Sequence, residues 1–382
     1  MINLFFVSTL GGLYMAQSVI YQENFTNNHL IVLYENAESN VYEKIISNVD
    51  DTLFSSVESE RLPPAIWHMT PSKAQETYAL YESILHRYKP EAIFINSYNW
   101  HYNFIYDLSK NFDTKICLYE EGLSTYRLLI CEHAAELHTV WESFKLAFRP
   151  FKPLRIFSAI FPYHTRLKVK SLFYKKKYKS VFSCATDFDE LYVVFPEKAS
   201  KVFNAGIIRK LHLDYRLNEN MKNISPTINF TPSDIIYLDQ TFGLPHDIHT
   251  EAIFSFFALH GKELINNHQT LYIKLHPKAD INTKNAFLNK LNNIPFDVKL
   301  LDFGSIDLPV EYFISEGLIE NIWGICSTTL VYSTELSPKV NVVSLAKHYK
   351  EFAIAHNISP DKIHNIAFHL AHLELFENIK IL

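Results

Sequence analysis

Cysteine is sparse and scattered in this 382-residue chain: Cys117, Cys131, Cys184 and Cys326 form no C-x-x-C pair and no metal-ligand spacing. That argues against a cysteine metal site, and the apolar surroundings of Cys117, Cys184 and Cys326 predict buried free thiols in a reducing compartment. Long apolar runs are also missing. No window approaches the ~18 uninterrupted apolar residues that a membrane-spanning helix needs. The N-terminus, Met1-Ile-Asn-Leu-Phe-Phe-Val-Ser, has no basic region and too short an apolar run for a signal peptide. The expectation is a soluble, cytoplasmic protein that can rest against the inner face of the cytoplasmic membrane. Neither internal repeats nor low-complexity tracts are evident. A net charge of −5 gives no excess of positive charge, which argues against general nucleic-acid binding.

What is abundant is apolar sequence. Hydrophobic residues make up 48% and charged residues 20%, enough to bury two cores of roughly 150–200 residues each. The first third alternates short apolar runs with amphipathic segments, the pattern of βαβ units around a parallel sheet. Strands are predicted at Leu4–Ser8, Leu30–Tyr34, Ile66–Met69, Ala92–Asn96 and Lys115–Glu120, with a helix over Ser72–Tyr88 that starts near Pro71 and stops near Lys89-Pro90. A second α/β series begins near Ser233. Its strands are predicted at Ile235–Asp239, Leu271–Leu275, Val298–Leu301, Ile322–Cys326 and Val340–Leu345, with helices over His249–Leu264 and Lys284–Leu291. The expected fold is α/β of GT-B type: two Rossmann-like domains, 1–225 and 226–382, facing a central cleft. Periodicity alone does not separate this from other two-domain α/β enzymes.

Between the two series lies a stretch with no acid at all. Lys145–Ser180 carries eleven Lys/Arg interleaved with Phe144, Phe148, Phe151, Phe157, Phe161, Phe173 and Tyr174. It suits anionic lipid or a polyanionic glycan, and equally a solvated linker with a basic face.

Three short motifs at strand ends carry the chemistry. In Leu118-Tyr119-Glu120-Glu121-Gly122-Leu123-Ser124-Thr125, two carboxylates close an apolar strand and Gly122 opens a turn into a helix capped by Ser124 or Thr125. Ligands of parallel α/β sheets bind outside the carboxyl ends of the strands. Adjacent side chains there diverge, so one glutamate faces the ligand and the other braces the turn. The ligand-facing one can take the proton of an attacking sugar hydroxyl. The competing reading is an exposed acidic turn. In Tyr272-Ile273-Lys274-Leu275-His276-Pro277-Lys278, Pro277 ends ladder pairing and biases His276 toward an extended backbone. An imidazole there can hydrogen-bond a departing phosphate, with Lys274 or Lys278 adding positive charge; the plain alternative is a surface histidine. In Gly324-Ile325-Cys326-Ser327-Thr328-Thr329, Ser327 or Thr328 opens a helix and presents hydroxyls and free N–H groups to an anion, or caps the helix without any ligand.

Taken together, the three motifs resemble those of the bacterial sialyltransferases, the lipooligosaccharide enzymes of glycosyltransferase family 52 and the capsule polysialyltransferases of family 38. The resemblance spans roughly residues 115–335. It implies a (D/E)(D/E)G motif, an HP motif and a serine/threonine motif on a GT-B scaffold. By that pattern one of Glu120 and Glu121 is the base, with Glu121 favoured because it sits nearer the turn. His276 then contacts the phosphate of a CMP donor, and Ser327 and Thr328 bind phosphate or the sugar carboxylate. Gln240, in Tyr237-Leu238-Asp239-Gln240-Thr241, resembles the strand end that opens the donor domain in these enzymes. Gly11, in Ser8-Thr9-Leu10-Gly11-Gly12, can let the backbone approach substrate. The implied reaction is an inverting transfer of sialic acid from CMP-sialic acid to a glycan of capsule or lipooligosaccharide. It has no cofactor and no metal, consistent with the lack of a convincing DxD triplet. A transferase using another CMP sugar such as Kdo makes the same demands on the protein. A non-catalytic glycan- or membrane-binding scaffold is the reading from a different class.

Overall fold

The computed structural model describes residues 1–35, 40–66, 68–130, 170–216, 230–265, 269–276, 279, 281–291, 296–301 and 308–382. The chain divides into two units, Met1–Asp214 and Tyr215–Leu382.

In the first unit the elements run β1 (Asn3–Val7), α1 (Leu10–Glu23), β2 (Asn28–Tyr34), α2 (Asn40–Ser47), β3 (Ser56–Arg61), α3 (Pro71–Tyr88), β4 (Ala92–Ile95), α4 (Tyr102–Asn111), β5 (Lys115–Tyr119), β6 (Asp187–Val193), α5 (Pro196–Ala199) and β7 (Asn204–Lys210). All seven strands are parallel neighbours in the order β3-β2-β1-β4-β5-β6-β7. Central strands covered on both faces are mostly apolar, and β1 (NLFFV) and β4 (AIFI) are buried at every position, the one polar residue, Asn3, donating from its amide to Asn28 Oδ1 at 3.0 Å. Phe5 of β1 stacks on Phe94 of β4 with ring centroids 4.3 Å apart. Helix α3 is bounded as its sequence dictates. Thr70 caps it by accepting the Lys73 N–H, Pro71 sits in the first turn, and Lys89 closes it in the left-handed region.

The strand expected at Ile66–Met69 is not one. Pro63 and Pro64 precede that stretch and supply no ladder donors, and Ile66, His68 and Met69 lie outside any strand, with Ile66 and Met69 buried. The third strand lies earlier, at Ser56–Arg61, a partly exposed, charge-bearing edge that an apolar-run criterion passes over. The sheet also gains β6 and β7, after the basic segment. A buried carboxylate holds that edge: Glu190 of β6 pairs with Lys115 of β5 and with Arg209 of β7, and accepts the Tyr192 hydroxyl at 2.7 Å.

The second unit runs β8 (Ile235–Leu238), α6 (His246–Leu264), β9 (Leu271–Lys274), α7 (Ile281–Leu291), β10 (Val298–Leu301), α8 (Val310–Ser315), β11 (Asn321–Gly324), α9 (Thr328–Leu336), β12 (Asn341–Ser344), α10 (Ala346–Ala355), α11 (Pro360–Leu373) and β13 (Lys380–Ile381). Its six parallel strands lie in the order β10-β9-β8-β11-β12-β13. Both sheets therefore reverse direction beside their first strand, between β1 and β4 and between β8 and β11. Those switch points, at the carboxyl ends, are where this architecture binds ligands. Two Rossmann-like units of this kind make up the GT-B fold.

Cys117 and Cys326 are buried free thiols as expected, whereas Cys184 is exposed, because it follows a short 3₁₀ helix (Lys176–Phe182) at the surface instead of continuing a strand. Cys131 lies outside the described residues.

Candidate active site

The two glutamates after β5 have separate environments. Glu120 is fully buried; its Oε2 accepts the Val194 N–H at 2.6 Å and the Tyr126 hydroxyl, while its own N–H donates to Tyr192 O at 2.9 Å. It ties the end of β5 to the end of β6. Glu121 is partly exposed, and Ser124 Oγ donates to its Oε2 at 3.4 Å. Burial pushes the Glu121 carboxyl up to about 7, and the Ser124 hydroxyl, which favours the charged form, offsets only part of this. Such a carboxylate is half ionised near neutrality, where a general base works best.

Gly122 makes the divergence possible. Its φ of 131° and ψ of −158° belong to a region that residues with a Cβ avoid. A short 3₁₀ turn follows, Leu123–Tyr126, and residues 127–130 continue it as the expected helix, but without the expected side-chain cap from Ser124 or Thr125. Thr125 Oγ1 instead accepts the Glu121 N–H at 3.2 Å, which closes the turn on itself. Gly122→Ala is expected to lower stability by about 1–3 kcal/mol in thermal melts and to carry activity down with it, since Glu121 is aimed by this turn.

Glu121 lies close enough to raise the pKa of the buried Tyr102 hydroxyl, though burial is the larger cause. That hydroxyl donates to Ser8 Oγ at 3.1 Å, so the ends of β1 and β5 share one neighbourhood. Gly11 follows in the first turn of α1 and is exposed.

In the second unit, the candidates fall on the carboxyl ends of three adjacent strands, β9, β8 and β11. Gln240 follows β8, and its Oε1 accepts the Cys326 N–H at 3.0 Å, joining the ends of β8 and β11. Ser327 caps α9, its hydroxyl accepting the Thr329 N–H at 3.3 Å, and Thr328 is the first helical residue. Ser327 O also accepts the Leu330 N–H at 3.1 Å, so of these first-turn N–H groups that of Thr328 precedes any intrahelical acceptor. His276 lies two residues beyond β9, partly exposed, and Lys274 is the last residue of that strand. Pro277 and Lys278 lie outside the described residues. So do residues 145–169 of the basic segment. Its described end is anchored to the first unit: Lys170 Nζ donates to Ile66 O at 2.7 Å and the Tyr174 hydroxyl to Met69 O at 2.6 Å. Among the described residues, no three His, Cys, Asp or Glu side chains gather closely enough to hold a metal ion.

Sequence reasoning missed a buried polar chain beside Gln240. Asp239 Oδ1 meets His249 Nε2 at 2.9 Å, and His249 Nδ1 meets the Tyr349 hydroxyl at 2.6 Å. It links β8 to α6 and α10 behind the strand end. No spacing signal joins residues 239, 249 and 349; only the packing of the two helices does.

The sequence model of the alpha-2,8-polysialyltransferase (POLYST) family matches residues 3–376. The chain belongs to the alpha-2,8-polysialyltransferase family. A comparison with curated proteins returned no match. Among solved structures, this polysialyltransferase-family chain is similar in fold to the UDP-GlcNAc 2-epimerase from Neisseria meningitidis bound to UDP-GlcNAc, at 12% identity and a TM-score of 0.51, covering 98% of this chain and 92% of that one. It is likewise similar to the Methanocaldococcus jannaschii UDP-GlcNAc 2-epimerase in complex with UDP-GlcNAc and UDP, at 10% identity and a TM-score of 0.50, covering 99% and 95%. At such identities the likeness concerns the fold alone. Membership of the polysialyltransferase family supports a glycosyltransferase role of the sialyltransferase kind, with a sugar donor and a glycan acceptor. Among the described residues, no helix of this family member is long and apolar enough to cross a membrane.

Proposed function

We propose that this chain transfers sialic acid from CMP-sialic acid to a glycan acceptor of bacterial capsule or lipooligosaccharide, with inversion and without metal or cofactor. The observation that carries the reading is Glu121, a carboxylate poised near pH 7 at the carboxyl end of β5, next to the switch-point strand β4, in a polysialyltransferase-family chain. In this reaction Glu121 takes the proton of the acceptor hydroxyl as its oxygen forms a bond to the anomeric carbon. The bond from that carbon to the phosphate oxygen breaks, and CMP leaves with the electron pair. Oxocarbenium character develops in between. His276 hydrogen-bonds the phosphate as charge gathers on it, and the Ser327 and Thr328 hydroxyls and the Thr328 N–H supply further donors. A phosphate monoester leaving group held by such donors needs no cation. Gln240, bonded to Cys326 N, keeps the β11–α9 turn in place for that task.

The experiment is release of CMP from CMP-sialic acid with and without a sialylated acceptor, run beside CMP-Kdo. Acceptor-dependent release from CMP-sialic acid supports the assignment. Release from CMP-Kdo alone assigns the other donor, and glycan binding with no CMP release from either indicates a scaffold.

The basic segment fits a polyanionic acceptor, or contact with the inner face of the cytoplasmic membrane. Lys177 is engaged over the rings of Tyr78 and Tyr178, at 4.8 and 5.1 Å, whereas Lys175 and Lys176 are exposed. Reversing the latter two, Lys175→Glu with Lys176→Glu, is expected to lower kcat/KM on long polysialylated acceptors by roughly tenfold at low salt, with little change on short ones. Unchanged kinetics on long soluble chains, with loss of binding to anionic vesicles, assigns the patch to the bilayer instead.

A further inference from the structure

The first unit holds a polar arrangement that the catalytic assignment leaves unused. Thr9 caps α1, with its hydroxyl accepting the Gly12 N–H at 3.0 Å and its carbonyl the Leu13 N–H at 3.0 Å. The N–H groups of Leu10 and Gly11 precede any intrahelical acceptor. A Cβ built on Gly11 would meet nothing within 4 Å, so the space in front of this turn is open. A Cβ on Gly12 would come within 2.6 Å of Asn96 Nδ2, so the missing side chain is what lets the Asn96 amide lie against the helix start.

Asn96 follows β4, directly across the switch point from β1. It is only 1% exposed, and neither Nδ2 nor Oδ1 has a hydrogen-bond partner among the described residues. A buried amide with both ends unsatisfied is unfavourable, and its position against a helix N-terminus points to a ligand that completes it. Ser8 and Tyr102, bonded to each other, connect this turn to the neighbourhood of Glu121.

We propose that the first turn of α1 and the Asn96 amide bind a carboxylate of the acceptor glycan. The proposal rests on the reading of Glu121 as the base that activates an acceptor hydroxyl, and it names the acceptor group held beside that base. The donors are neutral (the Leu10 and Gly11 N–H groups and the Asn96 amide), reinforced by the positive end of the helix. That set suits a monoanion such as a sugar carboxylate. Each sialic acid residue of a sialylated acceptor carries one. Gly11 keeps the approach to those N–H groups clear.

The test uses the full-length protein, CMP-sialic acid as donor, and a short α2,8-linked sialic acid oligomer offered with free carboxylates or as its neutral primary amide. The wild type should show an acceptor KM at least tenfold lower for the acid than for the amide. Gly11→Ala places a methyl group in open space, and Asn96→Leu replaces an unsatisfied amide by an apolar group of similar size; both should keep the melting temperature. Each should raise KM for the acid about tenfold, toward that of the amide. Equal KM values for acid and amide in the wild type overturn the proposal, as does an undiminished preference in both variants; the transfer activity then still stands. If CMP-sialic acid serves neither acceptor, the functional reading fails and this proposal falls with it.

Discussion

Glu121→Gln is expected to lower kcat by roughly 10²–10⁴-fold while leaving the donor KM close to the wild-type value. The amide preserves the shape of the side chain and a hydrogen-bond acceptor for Ser124, and removes only the capacity to take a proton. The wild-type rate should therefore fall as pH drops below about 7, where burial holds the Glu121 carboxyl protonated, and the residual rate of the variant should lack that limb. Stability should move the opposite way. Folding raises this carboxyl from 4.5 to about 7, so between those values the native state binds more protons than the unfolded chain. Stability from this group is thus complete at low pH and is lost as pH rises through that window. Glutamine removes the dependence. At pH 8 the variant should melt a few degrees above the wild type, and the difference should vanish by about pH 4.5. A variant with near-normal turnover and an unchanged acidic limb ends the assignment of Glu121 as base.

His276→Ala should also lower turnover by roughly 10²–10⁴-fold, for a different reason. Loss of the imidazole leaves the departing phosphate short of a donor at the moment its charge grows. Because CMP departs whether the nucleophile is a sugar or water, slow hydrolysis of CMP-sialic acid without acceptor should fall by a similar factor. Donor hydrolysis at the wild-type rate in this variant would take His276 out of the reaction. His276 stands two residues past the end of β9, outside the strand, so the substitution removes no sheet pairing. The melting temperature should report little change, which separates a chemical defect from a folding one.

The two units repeat one logic. Each has its first strand at the point where strand order reverses, and each puts a helix N-terminus there: α1 after Thr9 in one, α9 after Ser327 in the other. Asn96 and Glu121 follow the two strands beyond β1, while Gln240 and His276 follow β8 and β9. The candidate residues of each unit thus gather on one sheet edge although they are far apart in the chain. Parallel pairing alone brings them there, because it places all carboxyl ends on the same side.

Much of this was readable from residues in order. Apolar runs located the buried strands β1, β2, β4, β5, β8, β9 and β11 to within a residue or two, since a strand covered on both faces has no polar alternation to confuse the pattern. The helix over α3 followed from its proline start and its Lys89-Pro90 stop. What the linear pattern could not carry was the fate of marginal segments. Ser56–Arg61 became an edge strand with charged side chains and Ile66–Met69 did not become a strand, because edge pairing is decided by what lies beside the segment, not by its own polarity. Likewise β6 and β7 joined the first sheet through the Glu190 ion pairs, which link residues 115, 190 and 209.

The division of labour between the two glutamates shows the same boundary. The order of residues alone already requires adjacent carboxylates at a strand end to diverge, and a glycine after them allows a sharp turn. Which does what depends on the folded packing: Val194 and Tyr126 reach Glu120 from elsewhere in the fold and occupy it, while burial raises Glu121 toward neutrality. The same holds for Asn96, whose isolation is invisible in its neighbours along the chain. A hydrogen bond made or withheld across the sheet depends on distances that close only when the strands pair.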